Sequence, residues 1–221
     1  MNVKPLLIVN FKNYPEVAGE KAIDLAQKIA SISSQKWDIA IAPPLLYLTS
    51  IASKTKNQLI LAQHTDYQDY GAFTGYTLPA EIKRAGAAGT LLNHSERKLL
   101  FPILEKTITA CKKEKLLTIV CAASLEEVER IASLRPEYIA YEPPELIGTE
   151  ISVTSAKPEI VTKVVQQVRK ISPATFVLCG AGIHKPADIA QALVLGAKGV
   201  LIGHAIPKAK DPAKALKEFL V

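Results

Sequence analysis

Cysteine is sparse in this chain of 221 residues. Cys111, Cys121 and Cys179 lie far apart, are odd in number, and form neither a CxxC pair nor a metal-ligand spacing. That excludes a disulfide-stapled fold and suits a reduced, cytoplasmic setting. Methionine is confined to Met1 and Asn is scarce beside Lys and Glu, a composition in keeping with heat adaptation. No stretch approaches the roughly 18 consecutive apolar residues that span a bilayer, so no membrane association is expected. No N-terminal apolar run follows a basic segment, so no secretory leader is expected. A basic stripe with interleaved aromatics is also missing, which argues against nucleic acid as a partner. The formal net charge is nevertheless +6. Because the lysines are scattered, the surplus fits a Lys-rich solvated surface as well as an attraction for anionic small molecules.

What is present is ordinary for a globular protein: 48% hydrophobic and 22% charged residues, with the 14 prolines dispersed. Eight short apolar runs recur along the chain: Leu6–Asn10, Asp38–Ala42, Leu59–Gln63, Thr90–Asn93, Leu117–Cys121, Tyr138–Tyr141, Thr175–Cys179 and Gly199–Ile202. Most are rich in Ile, Val and Leu without strict polar alternation, which is how buried parallel strands read. Helical patterns lie between them. Val17–Ser33 places Ala22, Ile23, Leu25, Ala26, Ile29 and Ala30 on one face, and Glu159–Ile171 repeats the pattern. Pro186–Leu195 and Pro212–Val221 open with a proline where its missing N–H costs nothing, and Asp211 suits an N-cap. The stretches after Ala42 and Cys121 leave room for only two or three helical turns. Eight βα units without a composition break predict a single (β/α)8 barrel domain over residues 1–221, with some short helices. An open doubly wound sheet is the alternative, since closure cannot be read from a linear pattern.

In such barrels chemistry sits where the strands end. The first run ends in Asn10-Phe11-Lys12, and a lysine there suits a phosphate or a developing oxyanion; taken alone, it also fits a solvated loop residue. The fourth ends in Asn93-His94-Ser95-Glu96. Ser95 and Glu96 favour a helix N-terminus just after His94, whose positive end would keep the imidazole neutral and able to donate a hydrogen bond to a carbonyl oxygen. A purely structural histidine is the alternative. The sixth ends in Tyr141-Glu142-Pro143-Pro144, and a residue before proline is biased to extended geometry, so Glu142 reads as the last strand residue pointing at the mouth. The prolines and Gly148 would bound a lid; a Pro-rich connector is the other reading. Glycine-containing turns follow the last two strands, Gly180-Ala181-Gly182 and Gly203-His204, where backbone N–H groups can approach an anion.

Three segments in order, Asn10-Phe11-Lys12, Asn93-His94-Ser95-Glu96 and Tyr141-Glu142-Pro143 followed by Ile147-Gly148-Thr149, resemble the triosephosphate isomerase family, in its shorter archaeal form. Gly71-Ala72-Phe73-Thr74-Gly75 also looks like that family's third-strand loop. The resemblance implies an aldose–ketose isomerase that interconverts dihydroxyacetone phosphate and D-glyceraldehyde 3-phosphate through an enediolate, in glycolysis and gluconeogenesis. By the same resemblance, and in this family's known pattern, Glu142 is the base and a neutral His94 polarises the carbonyl. Lys12 supplies positive charge, Asn10 helps to position the substrate, and Glu96 supports the site from behind by pairing with Lys12. Ile147, Gly148, Gly182, Gly203 and His204 match positions that contact the phosphate through backbone groups. The family implies no cofactor, no metal, and a homo-oligomer, with a tetramer favoured over a dimer for a chain this short.

Three positions depart from the family's usual pattern. Gly182 stands where many members carry serine, His204 where glycine or another small residue is commoner, and Glu150 where glycine is frequent at the far end of the lid. They bear on rate and phosphate affinity more than on the reaction. Cys121, at the end of the fifth run, reads as a buried structural thiol. The rival readings are another phosphate-binding barrel enzyme, which would lack the combined Lys, His and Glu, and a non-enzymatic barrel, which would have lost one of them.

Overall fold

In the computed structural model, which describes residues 4–143 and 158–220, eight parallel strands close into a barrel in sequence order. They are β1 (Leu6–Asn10), β2 (Asp38–Ala42), β3 (Leu59–Ala62), β4 (Gly89–Leu92), β5 (Leu117–Ala122), β6 (Tyr138–Tyr141), β7 (Phe176–Cys179) and β8 (Gly199–Ile202). Closure is direct: Leu6 of β1 lies in register with Asp38 of β2 on one side and Gly199 of β8 on the other. The backbones at this seam nearly touch. A Cβ at Gly199 would sit 1.9 Å from the Leu6 carbonyl oxygen, and its φ of +143° is one that side-chain-bearing residues rarely adopt, so only glycine fits. The open sheet is thereby excluded, and the fold is a (β/α)8 barrel.

The described helices are α1 (Glu20–Ala30), α2 (Leu48–Lys54), α3 (Pro79–Arg84), α4 (Phe101–Lys113), α5 (Leu125–Ser133), α6 (Pro158–Ile171), α7 (Pro186–Val194) and α8 (Pro212–Phe219). α1 buries Ala22, Leu25, Ala26 and Ile29, a stripe at helical spacing. The expected long pattern from Val17 divides into a 3-10 turn at Pro15–Val17 and α1 itself, because Gly19 at φ +62° breaks the helix between them. Local capping fixes several starts. Ser124 Oγ accepts from Glu127 N at 3.1 Å to open α5, and Asp211 Oδ1 accepts from Lys214 N at 3.0 Å to open α8. As the spacing required, α2 and α5 are brief. Among the described residues, no helix is long and apolar enough to cross a membrane.

Two apolar layers follow from strand alternation. Leu6, Ile8, Ala40, Ala42, Leu61, Leu91, Ile119, Cys121, Ala140, Leu178 and Leu201 fill the barrel interior. Their neighbours, among them Leu7, Val9, Ile41, Val120 and Ile139, face outward against the helices. This period of two decides which residues reach the mouth. Asn10 continues the inward row of Leu6 and Ile8, and Glu142 continues that of Ala140.

Candidate active site

The mouth at the strands' C-terminal ends holds Lys12, Tyr14, His94, Glu96, Glu142, Gly180, Gly182, Gly203, His204 and Lys208 around a cavity of about 340 Å³. Asn10 lines an adjoining cavity that shares Lys12, Tyr14, His94 and Glu96.

Lys12 occupies an unusual backbone state, with φ +50°. A left-handed conformation is costly for a lysine and persists only where its surroundings enforce it. Here they do: Lys12 N donates to Asn10 Oδ1 at 3.0 Å, and Gln63 Nε2 donates to the Lys12 carbonyl at 3.0 Å. The ammonium is thus aimed into the mouth, where Nζ donates to Glu96 Oε1 at 2.7 Å. Burial alone would lower its pKa, but the Glu96 bond and the carboxylates of Glu96 and Glu142 outweigh it and hold Lys12 protonated.

His94 reaches the site through a second left-handed residue. Asn93 at φ +56° interrupts the strand alternation. Its side chain turns outward, donating to Cys121 O and Glu127 Oε1 and accepting from Leu99 N. His94 is turned toward the mouth instead. The helix expected directly after it is absent. Residues 95–97 form a turn closed by Arg97 N donating to His94 O at 2.8 Å, and α4 begins only at Phe101, where Pro102 suits the first turn. The neutralising influence is therefore not a helix end. Burial lowers the His94 pKa to about 4, with Lys12 and Lys98 adding to the effect against the pull of Glu96. Glu96 N donates to Nδ1 at 3.2 Å, so Nδ1 is an acceptor and the ring proton resides on Nε2.

Glu142 is only 3% exposed. Its amide donates to Ala122 O at 2.8 Å, fixing the end of β6 against β5. Burial raises the carboxyl pKa to about 7, while the Cys121 thiol, donating to the carboxylate, and the Lys12 ammonium pull it down. Among the described residues Oε2 has no hydrogen-bond partner. It stands 3.8 Å from His94 Nε2, too far for a hydrogen bond and, with a neutral ring, not an ion pair. A basic oxygen and an N–H donor thus face one cavity side by side.

Gly182, Gly203 and His204 line that same cavity. Ile147, Gly148 and Glu150 lie outside the described residues. The sequence did not draw attention to Gln63, Tyr14 or Lys208 as site residues, and Gly180 stood out only as part of a glycine-containing turn. Gln63 acts through its contact with the Lys12 carbonyl, which leaves no compositional trace, whereas Tyr14 stood two residues beyond Lys12 and offered a signal.

A sequence profile of the triosephosphate isomerase family matches residues 5–219. The triosephosphate isomerase of Methanosarcina mazei is 41% identical over 217 residues, covering 98% of this chain and 97% of its own. That of Methanopyrus kandleri is 42% identical over 218 residues, covering 98% and 96%. That of Saccharolobus solfataricus is 40% identical over 217 residues, covering 98% and 95%.

Proposed function

The chain belongs to the triosephosphate isomerase family, and from that premise we propose that it interconverts dihydroxyacetone phosphate and D-glyceraldehyde 3-phosphate. One relationship carries the reading: Glu142 Oε2, without a hydrogen-bond partner among the described residues, lies 3.8 Å from a His94 Nε2 that must bear the ring proton. Removing a proton from carbon beside a carbonyl needs a base on the carbon and a donor on the oxygen at once.

In the forward direction Glu142 takes the proton from the carbon next to the carbonyl, and the electron pair moves onto the carbonyl oxygen to give an enediolate. His94 donates from Nε2 to that oxygen and then relays protons between the two oxygens. Glu142 returns its proton to the neighbouring carbon. A desolvated carboxylate with a pKa near 7 is a stronger base than a solvated one and is still ionised in about half the molecules at neutral pH. Lys12, kept charged by Glu96, offsets the negative charge of the enediolate, and Asn10 holds Lys12 in place as well as the substrate. Gly182, Gly203 and His204 receive the phosphate through backbone N–H groups, together with Ile147 and Gly148 by family resemblance. The segment after Glu142 serves as a lid that excludes water. The reaction moves protons within one molecule, and no cofactor or metal is assigned to it.

The enzyme acts in glycolysis and gluconeogenesis in the cytoplasm. It works as a homo-oligomer, a tetramer in preference to a dimer. Exposed Leu45, Leu46, Phe73, Tyr76 and Leu100 support association, because large apolar side chains left in water favour burial against a partner. Light scattering at working concentration distinguishes the two states.

The activity is tested by coupling glyceraldehyde 3-phosphate conversion to a dehydrogenase that consumes dihydroxyacetone phosphate. Turnover by the folded protein is expected, and its absence would overturn the proposal.

A further inference from the structure

The Tyr14 ring gathers cations. Lys12 Nζ lies 6.0 Å and Lys208 Nζ 5.0 Å from its centroid, and the His204 ring lies 6.4 Å away, tilted by 51°. The fold brings these groups together from opposite ends of the chain, because β8 closes on β1. Tyr14 follows Lys12 on the loop leaving β1. Lys208 follows His204 by one turn, with Lys208 N donating to His204 O at 3.2 Å. That turn returns the lysine to the mouth instead of carrying it away along α8.

The two ammonium groups differ in one respect. Lys12 is matched by Glu96 at 2.7 Å. Lys208 has no ion pair or hydrogen bond from its ammonium among the described residues; the Tyr14 ring is its partner. An aromatic face attracts a cation and fixes its position, yet leaves its charge uncancelled. A cation so held, lining the same cavity as Gly182, Gly203 and His204, is complementary to an anion bound there. Two like charges about one ring repel each other, and a dianion relieves that repulsion.

We propose that Lys208, seated on Tyr14, is a further binding residue for the phosphate of the substrate, adding a side-chain cation to the backbone amides and favouring a phosphorylated triose over a neutral one. This rests on the isomerase reading for the identity of the substrate but not for the binding of phosphate itself.

The test uses the intact chain with inorganic phosphate as probe. Its affinity is measured by calorimetry, and by competitive inhibition of glyceraldehyde 3-phosphate turnover. Lys208→Gln should weaken phosphate binding and raise KM about five- to tenfold, as expected for one charge-assisted contact at a partly solvated site. The effect should shrink as salt is raised. Lys208→Arg should restore most of the affinity, and Tyr14→Leu should lose part of it. Lys36→Gln removes the same charge from an exposed position just before β2, at the other end of the barrel, and should behave as the parent protein. Unchanged phosphate affinity in Lys208→Gln, or an equal loss in Lys36→Gln, would overturn the proposal, as would no phosphate binding by the parent chain. Lys208-dependent phosphate binding without isomerisation would uphold it while removing the isomerase reading.

Discussion

Glu142 rests directly on Gly180. A Cβ built on that glycine would lie 2.5 Å from Glu142 Cγ and 2.8 Å from Oε1, closer than carbon and oxygen atoms approach without displacement. The absence of a side chain at the end of β7 is therefore what seats the proposed base at the end of β6. Gly180→Ala should leave the barrel folded, since the clash involves a side chain at the mouth and not a strand seam. It should lower kcat by about 10²-fold, the cost of moving a catalytic group by about 1 Å. Steady-state kinetics with a thermal melt checks this; an unimpaired kcat would show that Glu142 is not held by this contact.

The raised pKa of Glu142 has consequences for rate and for stability. The acid limb of kcat/KM should fall with an apparent pKa near 7, because only the carboxylate can accept the proton. For stability the sign runs the other way. The folded-state value lies above the usual 4.5, so folding favours the protonated form. That contribution is complete below about pH 4.5 and is lost as pH rises through about 7. Glu142→Gln, which has no charge to bury, should match the parent near pH 4.5. By pH 8 it should be more stable by about 3 kcal/mol at most, seen as a melting temperature several degrees higher. A variant equally stable at both pH values would contradict the burial of an ionised carboxylate.

His94 should remain neutral through the working range. Burial places its pKa at about 4, so its ¹⁵N ring signals should keep the pattern of a neutral, Nε2-protonated imidazole from pH 5.5 to 9. The corresponding loss of stability should appear only as pH falls below about 6.5 toward 4. A His94 midpoint between 6 and 7 would contradict the assignment.

Cys121 donates to the Glu142 carboxylate and lowers its pKa against the effect of burial. Cys121→Ala should therefore move the acid limb upward and reduce the fraction of active base at pH 7. A limb that does not move would make the thiol a packing residue alone, as its place in the barrel interior first suggests.

Much of this was legible in the sequence for a physical reason. Strands buried on both faces are continuous apolar runs, so β1, β2, β6 and β8 fall where Leu6–Asn10, Asp38–Ala42, Tyr138–Tyr141 and Gly199–Ile202 stand in the chain. The inward direction of Asn10 and Glu142 follows from a period of two. The position of His94 does not, because the left-handed turn at Asn93 breaks that period, and a turn over residues 95–97 stands where the helix start was expected, with α4 beginning at Phe101. Contacts between distant segments, such as Glu142 on Gly180 or Lys208 on Tyr14, depend on barrel closure and have no local signature.

The central claim is that Glu142 carries a proton between neighbouring carbons. It is tested most directly by running the isomerisation of glyceraldehyde 3-phosphate in D₂O and reading deuterium at the product carbon by NMR, with the parent chain and with Glu142→Ala. A carboxylate that holds the proton on an intermediate lets it exchange with solvent, so the parent should incorporate deuterium. The variant should lose both turnover and incorporation by about 10³-fold or more, within the range attributed to a positioned base. Turnover or incorporation undiminished in Glu142→Ala would contradict it.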